Sequence, residues 1–407
     1  MPRTDESEDV GGNRMGLLAV TAWCQWTNAR GGFALVGVSG DNTFSVGNVG
    51  TLAEAWRGSG LSSVLDTPTI LDNRVYTGTG VYNASGTTNC TGTPKVCQPL
   101  WAIPPFVNGE PGGPTLEVSQ THFLSPMMPT SSGGGTLSAS DRTGTSNCSG
   151  VPVACQPLAT FRTDGFPLTN GPSVSGAVSP VLSGTSLYAR GAYGMFAFDQ
   201  SLSTNCALTP KICPPLWAGD VGTPTYNSAW TNPISDGVVF TATAEKVFAF
   251  DAAGVTNCGG TPKVCQPLWT AAMPVGSDLP GGIAGTAVNN GKVYVPALEG
   301  VMVFDAHGTA GCSGLPVVCV PLATLKFGSA AAIYGGITIA NGAGFVGTRD
   351  GLFAFDSELN AGCSGVPLAC TPLLHTLAGT WVSSPAVVLG SVYVQSNTKL
   401  VALRLPM

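Results

Sequence analysis

The sequence predicts an all-β protein, a seven-bladed β-propeller of four-stranded blades. Three observations lead there. One motif recurs six times: Asp or Asn, six residues, Cys, three residues, Pro, two residues, Cys, one residue, Pro-Leu. The copies begin at Asn83, Asp141, Asp199, Asp251, Asp305 and Asp356, spaced 58, 58, 52, 54 and 51 residues apart. A fixed period of this size marks a repeat architecture. Between the motifs lie short β-rich runs punctuated by Gly, Asp and Asn, with no window of helical period. Finally, the chain ends on half a unit and begins on a strand that could complete it.

The fourth copy shows the unit most clearly. Val238 to Thr243 reads as a strand, Ala244-Glu245 as a turn and Lys246-Val247-Phe248-Ala249-Phe250-Asp251 as a second strand. After the cysteine loop, Pro267-Leu268-Trp269-Thr270 is another, and Ala229–Ile234 a short one upstream. Four short strands in about 50 residues is the size of one propeller blade. Met195–Asp199, Val301–Asp305 and Leu352–Asp356 repeat the Phe-Asp strand. The second copy departs, with too little chain between Ser125-Pro126 and Leu137 for the usual pair; its sheet is short or rebuilt from Thr115–Val118.

At the C-terminus, Ser383–Val388, Val392–Val394 and Leu400–Leu403 give three strands. Near the start, Thr51-Leu52-Ala53-Glu54-Ala55-Trp56 resembles the Pro-Leu-Trp strand with no inner strands before it. The economical arrangement is ring closure, the N-terminal strand completing the last blade and leaving no open edge. It also accounts for six cysteine loops in seven blades. An eighth blade fits only if residues 31–48 hold further strands. The domain plan is an N-terminal segment over residues 1–40, partly disordered or a signal remnant, and one propeller domain over 41–407. Met15–Ala22 follows Arg14 and resembles a short secretion signal.

Twelve of the thirteen cysteines fall in the pairs Cys90/Cys97, Cys148/Cys155, Cys206/Cys213, Cys258/Cys265, Cys312/Cys319 and Cys363/Cys370. Each pair sits on one hairpin-like loop. Zinc needs four ligands where each loop offers two, and the only histidines are His122, His307 and His375. Disulfides are the reading that fits. Closing a loop of about eight residues contributes about 2.5 kcal/mol in the chain-entropy treatment. Disulfides imply an extracellular place, secreted or at the cell surface. Cys24 is left over: a free thiol, an intermolecular partner or a lipid attachment site, with the unpaired thiol favoured because Trp23 stands where lipoprotein processing wants a small residue. No metal site is expected.

Charged residues are a tenth of the chain and the net charge is −6. That balance offers no footprint for nucleic acid or an anionic membrane surface. No apolar run reaches 18 residues, so no membrane span is expected.

The Phe-Asp strands followed by the cysteine loop and Pro-Leu-Trp resemble the pyrroloquinoline-quinone-like β-propeller repeats, in particular secreted bacterial forms with a disulfide loop in each blade. The resemblance covers residues 41–407. It implies that Trp56, Trp101, Trp217 and Trp269 dock one blade on the next, and that Ala159, Ala323 and Leu374, which replace Trp, mark weaker contacts. The superfamily spans quinoprotein dehydrogenases and non-catalytic scaffolds, so it is specific for fold and weak for function. Its dehydrogenases carry adjacent cysteines over the quinone, a carboxylate base and calcium ligands, whereas no two cysteines are adjacent here. Nucleophile-elbow, zinc-helix and phosphate-loop motifs are missing too. The repeated aspartates recur at one position in different blades and read as caps of the turn into the cysteine loop.

The sequence therefore points to an extracellular, non-catalytic scaffold that binds a protein or glycan partner through loops on one face, without a cofactor. The alternatives are an oxidoreductase using pyrroloquinoline quinone with calcium at an atypical site, and a structural subunit of a surface assembly. A ligand is expected on the face carrying the connections between successive blades, where Trp230, Trp381 and Tyr334 stand at inner-strand starts and Asp278 lies in a long loop. Exposed aromatics there stack on a sugar or planar ring; the competing role of the two tryptophans is to plug the channel.

Overall fold

The computed structural model describes residues 38–59, 68–71, 73–77, 80–102, 117–118, 122–125, 136–141, 146–149, 154–155, 157–162, 181–190, 194–222, 232–243, 245–274, 285–297, 300–328 and 333–406. Among these the secondary structure is β apart from one 3₁₀ turn, Val49–Thr51. Seven sheets each contain a run of four antiparallel strands. The fourth comprises Ile234–Ser235, Val238–Ala242, Lys246–Asp251 and Trp269–Ala272, in sequence order from inner to outer. The second is rebuilt from upstream residues, with Glu117–Val118 innermost, then His122–Ser125, Thr136–Asp141 and Ala159–Arg162.

Local sequence explains the meander. Inner and second strands join through tight turns such as Asp236-Gly237, Asn290-Gly291 and Asn341-Gly342, all at positive φ. Two-residue turns of that kind match the right-handed twist of the flanking strands. The third strands are buried on both faces, as in Gly300–Asp305 and Gly351–Asp356. That explains why they read as continuous apolar runs rather than clean alternation.

Each third strand ends at the repeated acidic residue. Asp199 accepts from the backbone N–H groups of Ser201, Ser203 and Thr204 and from both serine hydroxyls. Asp251, Asp305 and Asp356 make the equivalent backbone bonds, and Asn83 serves the first copy. Burial alone would raise the carboxyls of Asp199, Asp251 and Asp305, but the convergent hydrogen bonds outweigh it and hold all three below the ordinary carboxylate range. The aspartates are turn caps.

Among the described residues five disulfides are present, Cys90–Cys97, Cys206–Cys213, Cys258–Cys265, Cys312–Cys319 and Cys363–Cys370, with Cα atoms 4.0–4.2 Å apart. Cys148 and Cys155 face each other in the register of the second copy's ribbon. Cys24 lies outside the described residues. The residue before the first cysteine sits at positive φ throughout: Asn89, Asn147, Asn205 and Asn257, then Gly311 and Gly362. These are the residue types that tolerate the left-handed conformation. The hairpins do more than close a local loop. The second arm of each of five hairpins pairs in parallel with the outer strand of the preceding sheet, as Val264 and Cys265 do with Ala218 and Gly219.

Neighbouring sheets also meet through indoles. Trp56, Trp217 and Trp269 are buried and donate Nε1–H to the carbonyls of Ala84, Ala252 and Ala306 on the following sheet. Under each ring lies a glycine at positive φ, Gly86, Gly254 or Gly308, whose added Cβ would come within 2.2–2.4 Å of the indole. Where the tryptophan is absent, so is the glycine. Ala159 faces Leu202, and Ala323 faces Leu359, in shared buried clusters. At Ala159 and Ala323, where weaker contacts were expected, a leucine stands where the other junctions carry glycine. Leu374 is covered differently, by Val49 and Leu52 of the N-terminal segment.

That segment also pairs with the C-terminal strands. Ala53–Gly58 pairs antiparallel with Lys399–Arg404 as the last of the four antiparallel strands of the seventh sheet. Before it, Phe44, Val49 and Leu52 pack over the outer strand of the sixth sheet, where a cysteine hairpin would otherwise lie. Val38–Ser39 adds in parallel to the inner strand of the sixth sheet, against Ile339 and Ala340.

Candidate functional site

The meander sorts the connections onto two faces. Turns between inner and second strands share one face with the cysteine hairpins (the turn face). Turns between second and third strands share the other with the outer-to-inner connections (the loop face). The ligand residues named from the sequence are expected on the loop face. Trp230 and Asp278 lie outside the described residues. Tyr334 lies in the irregular stretch of Ile333–Ala340, where the register shifts between Ile333 and Ile337. Trp381 is described, and it is the centre of a polar cluster between the sixth and seventh sheets.

Backbone chemistry sets that cluster. The sixth sheet turns at Thr348-Arg349-Asp350-Gly351, with the Asp350 N–H bonded to Thr348 Oγ1 at 3.0 Å. Gly351 is at φ 126°, and a Cβ there would lie 2.4 Å from the Thr376 carbonyl oxygen. Gly347 lets the sheets close up, since its Cβ would lie 2.0 Å from the Ser383 carbonyl oxygen. The connection to the seventh sheet bends at Leu377 and Gly379, both at positive φ. The Gly379 N–H donates to Asp350 Oδ1 at 2.9 Å.

Trp381 is held by its backbone, donating to Asn397 Oδ1 at 3.1 Å and accepting from the Asn397 N–H at 2.9 Å. The residue is 45% exposed. The Arg349 guanidinium lies 5.1 Å from the ring centroid, a contact that contributes about 0.5–1 kcal/mol at an exposed position. Beside it, His375 stacks on Phe353 with centroids 4.1 Å apart and planes 7° from parallel. His375 Nε2 lies 2.7 Å from the Asp350 carbonyl oxygen and 3.7 Å from its carboxylate. The side chain of Arg190 ends at the same face of the third sheet, buried, donating to Thr241 Oγ1 at 2.9 Å. Burial pushes that guanidinium down to about 9.

The cluster joins an open indole, a guanidinium, a carboxylate, an imidazole and an amide. Such a surface suits a hydroxyl-rich or peptide partner. It contains no hydroxyl or thiol nucleophile paired with a base. Among the described residues no three His, Cys, Asp or Glu side chains come together in a way that could hold a metal ion. No chemical step is derived through a calcium-held quinone. No described helix is long and apolar enough to cross a membrane. Sequence reasoning missed Arg349, Asp350, His375 and Asn397. A usable signal existed, because Arg-Asp stands in a tight turn of a charge-poor chain and His375 interrupts an outer strand.

No protein-family model matches the chain, and neither does any curated protein. Solved structures do. The quinohemoprotein alcohol dehydrogenase from Comamonas testosteroni superposes with a TM-score of 0.54 at 12% identity, over 94% of this chain and 82% of that one. The quinohemoprotein alcohol dehydrogenase ADHIIG from Pseudomonas putida HK5 gives 0.52 at 13%, over 97% and 82%. The computationally designed Ika8 protein gives 0.51 at 14%, over 87% and 99%. The neighbours include β-propellers of the pyrroloquinoline-quinone-like kind. At these identities the likeness is one of fold.

Proposed function

We propose that the chain is an exported, non-catalytic propeller that binds a protein or glycan partner through its loop face. Its seven sheets are the blades of one ring over residues 41–407, closed by Ala53–Gly58, with residues 1–40 as the leading segment. The observation that carries the binding reading is Trp381, left half open beside Arg349, Asp350 and His375 although Trp56, Trp217 and Trp269 are buried. Trp230, Tyr334 and Asp278 extend the same surface in this reading. The pairing of Ala53–Gly58 with Lys399–Arg404 supports the closed ring. The five disulfides support a place outside the cytosol, extracellular or periplasmic.

The test is a glycan array and an extracellular-protein array probed with the wild type, W381A and R349A. Binding that both substitutions weaken at least tenfold, at unchanged melting temperature, supports the reading. A large fall in melting temperature with binding unaltered makes Trp381 a structural plug and refutes it.

A further inference from the structure

A second cleft lies on the turn face, away from Trp381. It opens between the inner-to-second-strand turns of the fifth and sixth sheets and holds about 560 Å³. That is within the range of small-ligand clefts, about 300–1,000 Å³. Asn289, Asn341 and Asn360 line it, with Val38, Val46 and Ile339 as an apolar wall.

The charged groups at this cleft are already engaged. Asp356 accepts from the N–H groups of Glu358, Asn360 and Ala361. Glu358 binds Lys292 Nζ at 2.9 Å and Asn290 Nδ2 at 2.8 Å. The Lys292 hydrogen bond, reinforced by the Asn290 bond, keeps its carboxyl below the ordinary range. The amides are different. Asn341 spends its Nδ2 on the carbonyls of Phe44 and Asn42, which pins the N-terminal segment as one wall. Its Oδ1, and the whole side-chain amides of Asn289 and Asn360, make no hydrogen bond among the described residues.

We infer that this cleft is a binding site for a neutral sugar residue, whose hydroxyls meet the amides of Asn289, Asn341 and Asn360 and whose C–H face lies on Val38, Val46 and Ile339. Free amides offer both donors and acceptors, which hydroxyls require. The two carboxylates disfavour an anion, and Lys292 offsets the charge of Glu358. A peptide strand would need an open ladder edge, and Val38–Ser39 already occupies the inner edge of the sixth sheet.

The experiment is saturation-transfer NMR with glucose, galactose, mannose, N-acetylglucosamine and tri-alanine as separate probes. Expected is transfer to at least one sugar and none to tri-alanine. Its apparent Kd rises at least fivefold in N289A/N360A and is unchanged in W381A. N360A alone, at an exposed position, gives at least a twofold rise and serves if the double variant does not fold. No transfer to any sugar, transfer indifferent to the asparagine variants, transfer abolished by W381A, or transfer to tri-alanine alone would each overturn the inference.

Discussion

The exchange of Trp over Gly for Ala over Leu at sheet junctions gives a sharp energetic prediction. In native Trp269/Gly308, replacing Gly308 by Leu meets two penalties. The backbone is at φ 69°, and a Cβ there would lie 2.4 Å from Trp269 Cδ1. A left-handed non-glycine residue costs about 1–2 kcal/mol, and overpacking adds about 1–3 kcal/mol. Trp269→Ala alone costs about 3–5 kcal/mol, typical of a buried aromatic. The double variant W269A/G308L recreates the Ala323/Leu359 junction found one sheet later, where Leu359 tolerates φ 63°. In the W269A background the clash is gone and the leucine fills a cavity. The pair should therefore couple favourably by about 1–3 kcal/mol, within the range for residues in contact. Urea or guanidinium unfolding of the four proteins measures the cycle. Additivity within about 0.5 kcal/mol, the value for independent sites, would refute the junction account.

Alkylating the unreduced, denatured protein should label one thiol per chain, Cys24; labelling of several loop cysteines would remove the argument for an oxidising compartment. Removing residues 41–57 should expose both the Lys399–Arg404 edge and the Leu373–Leu374 surface, giving aggregated protein, and a soluble product of native stability would contradict closure. Asp199, Asp251 and Asp305 bind a proton less readily folded than unfolded. They therefore stabilise the fold above their ordinary pKa, about 4, and that contribution is lost as pH falls below it toward the folded values. The melting temperature should drop between pH 4 and 2, and the triple variant D199N/D251N/D305N should show a flatter slope there; an unchanged slope would deny the caps their electrostatic part.

Much of this architecture could be read from the chain because it rests on local rules repeated six times. The Asp caps, the cysteine hairpins, the glycine turns and the returning N-terminal strand all follow from short-range patterns, and each appears in the described structure. The parallel docking of five of the hairpins onto the sheet before them was not legible, because no local signal says which neighbour an edge will find. Compensation at the junctions was written in the sequence, three residues after each capping residue: Gly where the preceding outer strand carries Trp, Leu at Leu202 and Leu359 where it carries Ala. Reading single positions hid it; only pairs taken across the repeat reveal it. The loop-face cluster formed from residues that look ordinary alone. Arg349 gains meaning only once Gly347 and Gly351 bring the sixth and seventh sheets close enough to lay its guanidinium over Trp381.

The binding reading is tested most directly by site-specific photocrosslinking. A benzoylphenylalanine at position 381 reports on the loop face. One at position 315, where Leu315 is 97% exposed at a hairpin tip, reports on the opposite face. Incubated with the partner recovered from the arrays, the 381 probe should capture it and the 315 probe should not. Capture at 315 with none at 381 would contradict the loop-face account.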